Sequence, residues 1–252
     1  MIDIHCHLLP GIDDGSPDLA QSLAMARMAV ADGITRAVLT PHIQPGRWDN
    51  SAQGIAAATN ALRAALAREG IALELGFAAE VRLSDQIFRQ LEEGLIPFLG
   101  DSEGSKVMLL EFPHSHILPG TDKLVAWLLR NGIRPLIAHP ERNREIIQDP
   151  RKLAPFIDQG CLAQLTGASL TGRFGEGARQ AAEYFLREGQ VSYLASDAHN
   201  TSTRPPAMAE ARRIIARLVG EKTAEALAFS NPLQLVAHQF ASSDHVDAVA
   251  GH

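Results

Sequence analysis

The chain has 252 residues, of which 46% are hydrophobic and 21% charged, and its formal net charge is -6. This composition is typical of a folded globular protein, and α/β barrels often reach this length as one domain. With 29 acidic against 23 basic residues, the sequence argues against a protein that binds the nucleic-acid backbone. No stretch is long and apolar enough to span a membrane, so we expect a mature protein that begins at Met1, in the cytosol, with no transmembrane segment.

The two cysteines, Cys6 and Cys161, lie in apolar, strand-like segments. Two cysteines cannot build a disulfide framework, and we interpret them as buried free thiols. Cysteine-dependent phosphatases carry an arginine six residues after the nucleophile, whereas Ile12 and Gly167 occupy those positions here. The sequence therefore disfavours a thiol-based phosphatase.

Short apolar runs alternate with longer amphipathic runs along most of the chain. This alternation is typical of repeated βα units around a parallel sheet. We predict seven strands, at residues 2–6, 35–40, 73–80, 107–112, 135–139, 162–166 and 191–196. The fold class predicted is α/β.

The helices between these strands have recognisable ends. The first is preceded by Ser-Pro-Asp at residues 16–18, and Gly33 closes it. Its apolar positions recur at helical spacing: Leu19, Leu23, Ala26 and Val30. Three further helical segments follow the seventh strand. We predict one domain over residues 1–240 and a mobile tail over residues 241–252, where no periodic pattern remains.

Histidines and carboxylates are concentrated where the predicted strands end. Nine of them, from six βα units, lie at a strand end or in the loop after it: His5, His7, Asp14, His42, Glu80, Glu111, His139, Asp197 and His199. The carboxyl ends of the strands of a parallel barrel meet at one face, where such folds build their active sites. We therefore expect these side chains to share one cavity mouth.

The spacing of His5 and His7 has a geometric meaning. Side chains two apart on a strand point the same way, so both imidazoles can reach one ion while Cys6 points toward the helices. Asp197 and His199 repeat this spacing. A set of histidines and carboxylates without a thiolate suits manganese, zinc or iron.

Each of these residues also has a simpler explanation. A lone histidine beside a strand is usually a hydrogen-bonded polar group, Glu80 fits a surface position, and Asp197 fits a helix cap. Asp14 fits a turn, and the adjacent Asp13 is an alternative candidate for the same ligand position. The shared position at strand ends favours the metal site over these separate explanations. We assign His114 and His116 to a loop at the rim of the pocket. We expect the other histidines to be solvated: His238, His245 and His252.

Six motifs occur in a recognisable order: IDIHCHLLPGIDDG, TPH, AAEVRL, LLEFP, IAHPERN and ASDAHN. In them the chain resembles the polymerase and histidinol phosphatase (PHP) superfamily, and within it the bacterial metal-dependent protein tyrosine phosphatases of capsule and exopolysaccharide operons. The resemblance covers nearly the whole chain. It implies a distorted (β/α)7 TIM-like barrel with three divalent metal ions, usually manganese, held by the nine residues above. It also implies that Arg142 and Arg204 handle the phosphate.

Charge balance makes this chemistry plausible. Four ligand carboxylates and three divalent ions leave a charge of about +2, which matches a phosphate monoester dianion. We expect a metal-bound hydroxide to attack phosphorus while the two arginines hold the phosphate oxygens. A tyrosine leaving group, with a pKa of ~10, departs without a strong general acid. The resemblance implies a phosphotyrosine-bearing bacterial tyrosine kinase of polysaccharide export as the substrate.

Three alternatives stay open. A phosphatase of histidinol phosphate or another small molecule would share the metal centre and differ in the pocket. Amidohydrolases also begin with a strand HxH but typically use a bridging lysine, whereas the bridging candidate here is Glu80. A metal-binding regulator without catalytic activity would bind metal and hydrolyse no phosphoester.

Overall fold

The computed structural model describes residues 1–240. The predicted tail, residues 241–252, lies outside the described residues, as do His245 and His252. Within the described part the strands are β1 Ile2–Cys6, β2 Arg36–Leu39, β3 His42–Ile43, β4 Glu74–Phe77, β5 Glu80–Arg82, β6 Gly100–Ser102, β7 Ser105–Glu111, β8 Ile133–Ala138, β9 Leu162–Thr166 and β10 Tyr193–Ala195.

The helices follow the strands as predicted. The α-helices are α1 Leu19–Ala31, α2 Ala52–Arg68, α3 Ile87–Glu92, α4 Thr121–Arg130, α5 Arg144–Gln148, α6 Ala154–Asp158, α7 Gly167–Leu170, α8 Glu176–Arg187, α9 Ala209–Val219, α10 Glu221–Glu225 and α11 Asn231–Val236. Short 3-10 turns cover Pro140–Arg142, Pro150–Leu153 and Ala237–Gln239, and a π-helical turn covers Ala226–Ser230. No helix within residues 1–240 has both the length and the apolar character needed to cross a bilayer.

Two of the predicted strands are interrupted. The stretch 35–40 ends at Leu39, and the chain re-enters the sheet as β3; likewise 73–80 divides into β4 and β5. Pro41 lies in the first interruption and has no N–H to donate to a strand ladder. The prediction that Glu80 ends its strand is therefore wrong: it begins β5 and pairs with His42 of β3. The sequence also gave no signal for β6, a short antiparallel partner of β7.

The sheet follows a barrel path. One parallel group runs β1-β2-β4, and the other runs β10-β9-β8-β7-β5-β3. Hydrogen bonds join β1 to the segment after β10: Asp197 N–H donates to the His5 carbonyl at 2.8 Å, and His7 N–H donates to the Ala198 carbonyl at 2.8 Å. The predicted α/β barrel architecture is confirmed, with its first and last strands adjacent.

The start and the end of helix α1 follow from residues at its two termini. Asp18 is its N-cap and accepts from the Gln21 N–H at 2.8 Å. Gly33 follows its end with φ of 87°, a conformation that favours glycine. The predicted apolar positions do not all face the core, because Leu19 and Val30 are exposed while Met25 is buried.

The hydrophobic core lies on both sides of the sheet. Cys6 is fully buried in the cluster that contains Met25 of α1, as predicted for a side chain facing the helices. A second cluster joins Ile2 and Ile4 of β1 to Leu235 of α11. The first strand is thus anchored by apolar packing, and the polar residues of this strand end in the site described next.

Candidate metal centre

The structure brings the nine predicted residues together at the carboxyl ends of the strands. Eight of them are buried, and Asp14, in the loop after β1, has a side chain that is 43% exposed. They form four overlapping groups whose ligand atoms lie within 4.8 Å of one another: His7, Asp14, His42 and His199; His5, His7 and Glu80; His5, His139 and Asp197; His42, Glu80 and Glu111.

The two histidines of β1 converge as the strand geometry predicted. Their Nε2 atoms lie 3.2 Å apart. The Nδ1 atom of His5 lies 2.9 Å from Gln164 Oε1, and that of His7 lies 2.7 Å from Asp13 Oδ2. These acceptors fix each ring with Nδ1 as the donor, so both Nε2 lone pairs face the cluster and can bind a metal.

Glu80 is the centre of the cluster. Its carboxylate oxygens lie 2.8 Å from His139 Nε2, 2.9 Å from His42 Nδ1 and 3.3 Å from His5 Nε2. Burial alone would raise the pKa of Glu80, but the surrounding histidines hold it well below its usual value. Glu80 is therefore ionised and is the one carboxylate shared by two of the four groups.

Within residues 1–240, the cluster contains buried polar atoms that make no hydrogen bond of good geometry, although some of them lie close to another ligand atom. Five belong to the predicted ligands: His42 Nδ1, Glu80 Oε2, Glu111 Oε2, Asp197 Oδ1 and His199 Nε2. Each buried polar atom without a partner costs about 1–3 kcal/mol. Divalent cations bound among these nitrogen and oxygen atoms would satisfy them, and the donor set fits manganese, zinc or iron. The residues present therefore fit a metal centre.

Two of the nine residues have unusual backbone conformations. His139 has φ of 32° and Asp197 has φ of 52°, both in the left-handed region. Such conformations are costly for residues other than glycine and are often found at functional sites. His139 directly follows β8 and Asp197 lies two residues after the end of β10, so each left-handed residue stands where the chain turns out of its strand.

Arg142 and Arg204 both reach Asp197. Arg204 Nη2 donates to Asp197 Oδ2 at 2.6 Å, and Arg142 Nη1 donates to the same oxygen. Burial favours the neutral form of Asp197, but the two guanidinium groups hold its pKa well below the usual range. Arg204 Nε is buried and has no hydrogen-bond acceptor among residues 1–240.

Phe174, which sequence reasoning missed, lies against both arginines. The Cζ atom of Arg142 is 4.3 Å and that of Arg204 is 5.9 Å from the centre of its ring. The preceding residue, Arg173, donates to the Ser202 carbonyl at 3.3 Å and so ties this loop to the one carrying Arg204. Strand β9, which carries none of the nine residues, thus leads to a residue that supports the arginines.

The turn carrying Arg142 is anchored by polar side chains that the sequence did not single out. Glu141 is fully buried and accepts from Thr166 N–H at 3.0 Å and from Ser169 Oγ at 2.7 Å. Asn143 caps α5 and donates to the Pro113 carbonyl at 2.6 Å. The available signal was the polar run PERN directly after a buried apolar strand.

Aromatic rings border the site. Trp48 stacks on His42 with ring centres 4.8 Å apart, and the Cζ atom of Arg47 lies 3.9 Å from the centre of the Trp48 ring. His114 lies at the rim, as predicted, with Nε2 3.7 Å from Glu111 Oε1, and His116 is exposed. Asp13 belongs to none of the four groups and contacts His7 Nδ1 instead. Of the two adjacent aspartates, Asp14 is therefore the candidate ligand.

The fold and the site define an α/β barrel of the metal-dependent hydrolase type, with a histidine and carboxylate cluster at the carboxyl ends of its strands. The family model for capsular polysaccharide synthesis proteins, CpsB/CapC, matches residues 1–237. The chain therefore belongs to the CpsB/CapC family.

Individual relatives agree with this assignment. The chain is 37% identical to tyrosine-protein phosphatase YwqE of Bacillus subtilis over 204 residues, which cover 81% of this chain and 79% of that protein. It is 31% identical to tyrosine-protein phosphatase CpsB of Streptococcus pneumoniae over 244 residues, which cover 95% of this chain and 99% of that protein.

Solved structures extend the comparison. The chain superimposes on a crystal structure from work on YwqE and CpsB, described as "unique metal-dependent tyrosine phosphatases", with a TM-score of 0.87 and 34% identity over 95% of both chains. A phosphotriesterase homology protein of Escherichia coli shares the fold with a TM-score of 0.57 at 13% identity, over 93% of this chain and 98% of that one.

Proposed function

We propose that this protein is a metal-dependent hydrolase of phosphotyrosine. The observation that carries the proposal is that two guanidinium groups meet on one oxygen of Asp197, whose other oxygen lies in the histidine and carboxylate cluster. A phosphate monoester needs cationic groups on several of its oxygens at once, and this arrangement supplies them. The family and the named relatives support the same activity.

We assign the metal ligands to the nine residues of the cluster and expect three divalent ions, with manganese as the first candidate. The four overlapping groups and the five unpartnered atoms support this assignment. When bound, such ions supply the positive charge that neutralises phosphoryl oxygens and lower the pKa of coordinated water. Gln164 and Asp13 keep the imidazoles of His5 and His7 in the tautomer that metal binding requires.

The two arginines bind the phosphate. Their planar donor groups match two oxygens of a phosphate, and both are held ready by Asp197 before substrate arrives. The side chains of Arg142 and Arg204 are 13% and 23% exposed, so part of each stays accessible to a ligand. In a trigonal phosphoryl group the charge spreads over the oxygens, so donors fixed in advance stabilise the transition state.

The leaving group is a phenol. Tyrosine has a pKa of ~10, so its oxygen departs with less help from an acid than an alkyl alcohol needs. A site without a strong general acid therefore favours aryl phosphates over alkyl phosphates. The substrate we propose is phosphotyrosine of a bacterial tyrosine kinase that controls polysaccharide synthesis or export, in the cytoplasm. Two buried free thiols agree with a reducing compartment.

The test is hydrolysis of a phosphotyrosine peptide by the purified protein loaded with manganese, with histidinol phosphate measured in parallel. We expect turnover of the peptide that stops when a chelator removes the metal and returns when manganese is restored. His7→Ala should lose both metal and activity, whereas His238→Ala, at an exposed histidine remote from the cluster, should keep both.

Three results would contradict the proposal. Preferred turnover of histidinol phosphate would identify a small-molecule phosphatase. Stoichiometric metal without turnover of any phosphoester would identify a metal-binding regulator. Undiminished activity after confirmed metal loss would exclude a metal-dependent reaction.

A further inference from the structure

An apolar cavity of about 450 Å³ lies between α3 and α4 and belongs to no part of the site described above. Leu83 and Phe88 line it from one side, and Leu118, Lys123, Trp127 and Arg130 line it from the other. We propose that this cavity, called here the α3–α4 groove, is a docking site for the polypeptide segment next to the phosphotyrosine of the substrate. The inference rests on the proposed function and adds a second binding site to it.

The groove begins next to the metal centre. Leu83 directly follows Arg82, whose Nη1 lies 2.8 Å from Glu111 Oε1, and the Leu83 N–H donates to the Glu111 carbonyl at 2.9 Å. Its other end is at Arg130, the last residue of α4. The ten residues of α4 span about 15 Å, the length of about four or five extended residues. A peptide leaving the centre can therefore follow the groove.

The floor of the groove is aromatic and open to solvent. Phe88 is 40% exposed, and its ring meets Trp127 edge to face with centres 4.7 Å apart. A cavity in which aromatic side chains remain accessible is typical of a surface that binds a partner. The groove therefore suits an apolar side chain of the peptide, inserted between the two rings and Leu83.

The rim of the groove carries positive charge. Lys123, Trp127 and Arg130 follow helical spacing along α4 and share one face. Among residues 1–240, Lys123 and Arg130 form no ion pair, whereas the nearby Arg89 is paired with Glu93. Asp85 is the one acidic residue of the lining. With two cations and one carboxylate, the groove has a net charge of +1, whereas the whole chain has a formal net charge of -6. This charge favours acidic residues beside the apolar anchor.

The occupant we assign is therefore an acidic phosphotyrosine peptide with one apolar side chain a few residues from the phosphotyrosine. The proximity of the groove to Glu111 favours the substrate over an unrelated partner, because the same polypeptide reaches both sites. A second copy of the chain is the competing occupant, and it is separated from the substrate by the test below.

The test compares a small and a long substrate on the manganese-loaded enzyme. p-Nitrophenyl phosphate fills only the metal centre, whereas a phosphotyrosine peptide of about ten residues, with aspartates and a single leucine about five residues away, reaches the groove. Peptides with leucine on either side of the phosphotyrosine cover both chain directions. We expect Phe88→Ser to raise the KM of the better peptide roughly tenfold and to leave p-nitrophenyl phosphate turnover unchanged.

The control is Phe229→Ser, since Phe229 is 41% exposed, like Phe88, but lies outside the groove. It should leave both substrates unaffected. A double variant, Lys123→Glu with Arg130→Glu, should raise the KM of the acidic peptide and not that of one with asparagines in place of the aspartates. Affinity for a matching phosphonate peptide, measured by calorimetry, should fall in parallel with these KM changes.

Equal KM values for wild-type enzyme and Phe88→Ser on every peptide would overturn the docking site while leaving the phosphatase intact. A change of oligomeric state in Phe88→Ser, measured by light scattering and without an effect on KM, would assign the groove to a second copy. Failure of the wild-type enzyme on both p-nitrophenyl phosphate and the peptide would instead refute the proposed function, which is a different result.

Discussion

Arg204 donates to one oxygen of Asp197 at 2.6 Å, while the other oxygen of the same carboxylate lies 3.4 Å from the Nε2 atom of His5. A single side chain thus connects the arginine pair to the histidine and carboxylate cluster. The phosphate-binding and metal-binding parts of the proposed site consequently share one fixed reference point.

Arg204→Ala should lower kcat/KM for phosphotyrosine about 10²- to 10³-fold, because a donor fixed in advance on the phosphoryl oxygens is lost. Metal content should stay at the wild-type level, since Arg204 supplies no ligand atom. Kinetics and elemental analysis of the same preparation provide the measurement. Arg217→Ala, on the exposed face of α9, is the matched control. Unchanged kinetics in Arg204→Ala would remove this residue from the phosphate site.

Glu80→Gln should reduce the amount of metal bound per chain more than Asp14→Asn does. Glu80 contributes to two of the four groups, whereas Asp14 contributes to one, and both substitutions preserve side-chain size. Metal ions per chain, measured at one fixed free manganese concentration, should therefore be lowest in Glu80→Gln. Equal loss in the two variants would show that Glu80 is not a shared ligand.

Phe174→Leu should reduce kcat/KM for phosphotyrosine and for an alkyl phosphate by the same factor, because the ring orients the arginines and does not choose the leaving group. A cation over an aromatic ring contributes about 0.5–2 kcal/mol, which corresponds to a loss of roughly 2- to 30-fold. Phe174→Tyr retains the ring face and should keep most of the activity. In an Arg142→Ala background the loss from Phe174→Leu should shrink, since one of its two partners is gone.

Thiol alkylation should leave activity intact. Burial raises the pKa of the Cys161 thiol to about 12 and holds that of Cys6 well above its usual range. Because a raised pKa keeps the thiol protonated, the thiolate fraction of Cys161 at pH 8 is about 10⁻⁴. We expect N-ethylmaleimide to modify neither residue of the folded protein, as read by mass spectrometry, and to preserve turnover. Rapid inactivation with labelling of either cysteine would reopen a thiol-based reaction.

Much of the fold and of the candidate site was predictable from local patterns. Apolar runs separated by amphipathic segments indicated the strands and helices, and all nine polar residues predicted to converge do lie together. The reason is that strand direction in a parallel sheet already determines where each strand end lies. Of the two interruptions, the one at Pro41 had a local signal, because proline has no N–H to donate to a strand ladder, whereas the one at Ala78 lies in a run that reads as continuous in the sequence.

The sequence by itself determined the alternation of strands and helices, the chemical types of the candidate ligands and the absence of a reactive thiol arrangement. Only the tertiary structure decided which groups orient those ligands. Gln164 contacts His5, which lies 159 residues earlier in the chain, and Phe174 contacts Arg142 and Arg204 because the loops after β8, β9 and β10 are adjacent. The first contact forms because β1 lies beside β10, and the second forms because β8, β9 and β10 lie side by side, so neither leaves a periodic signal in the chain.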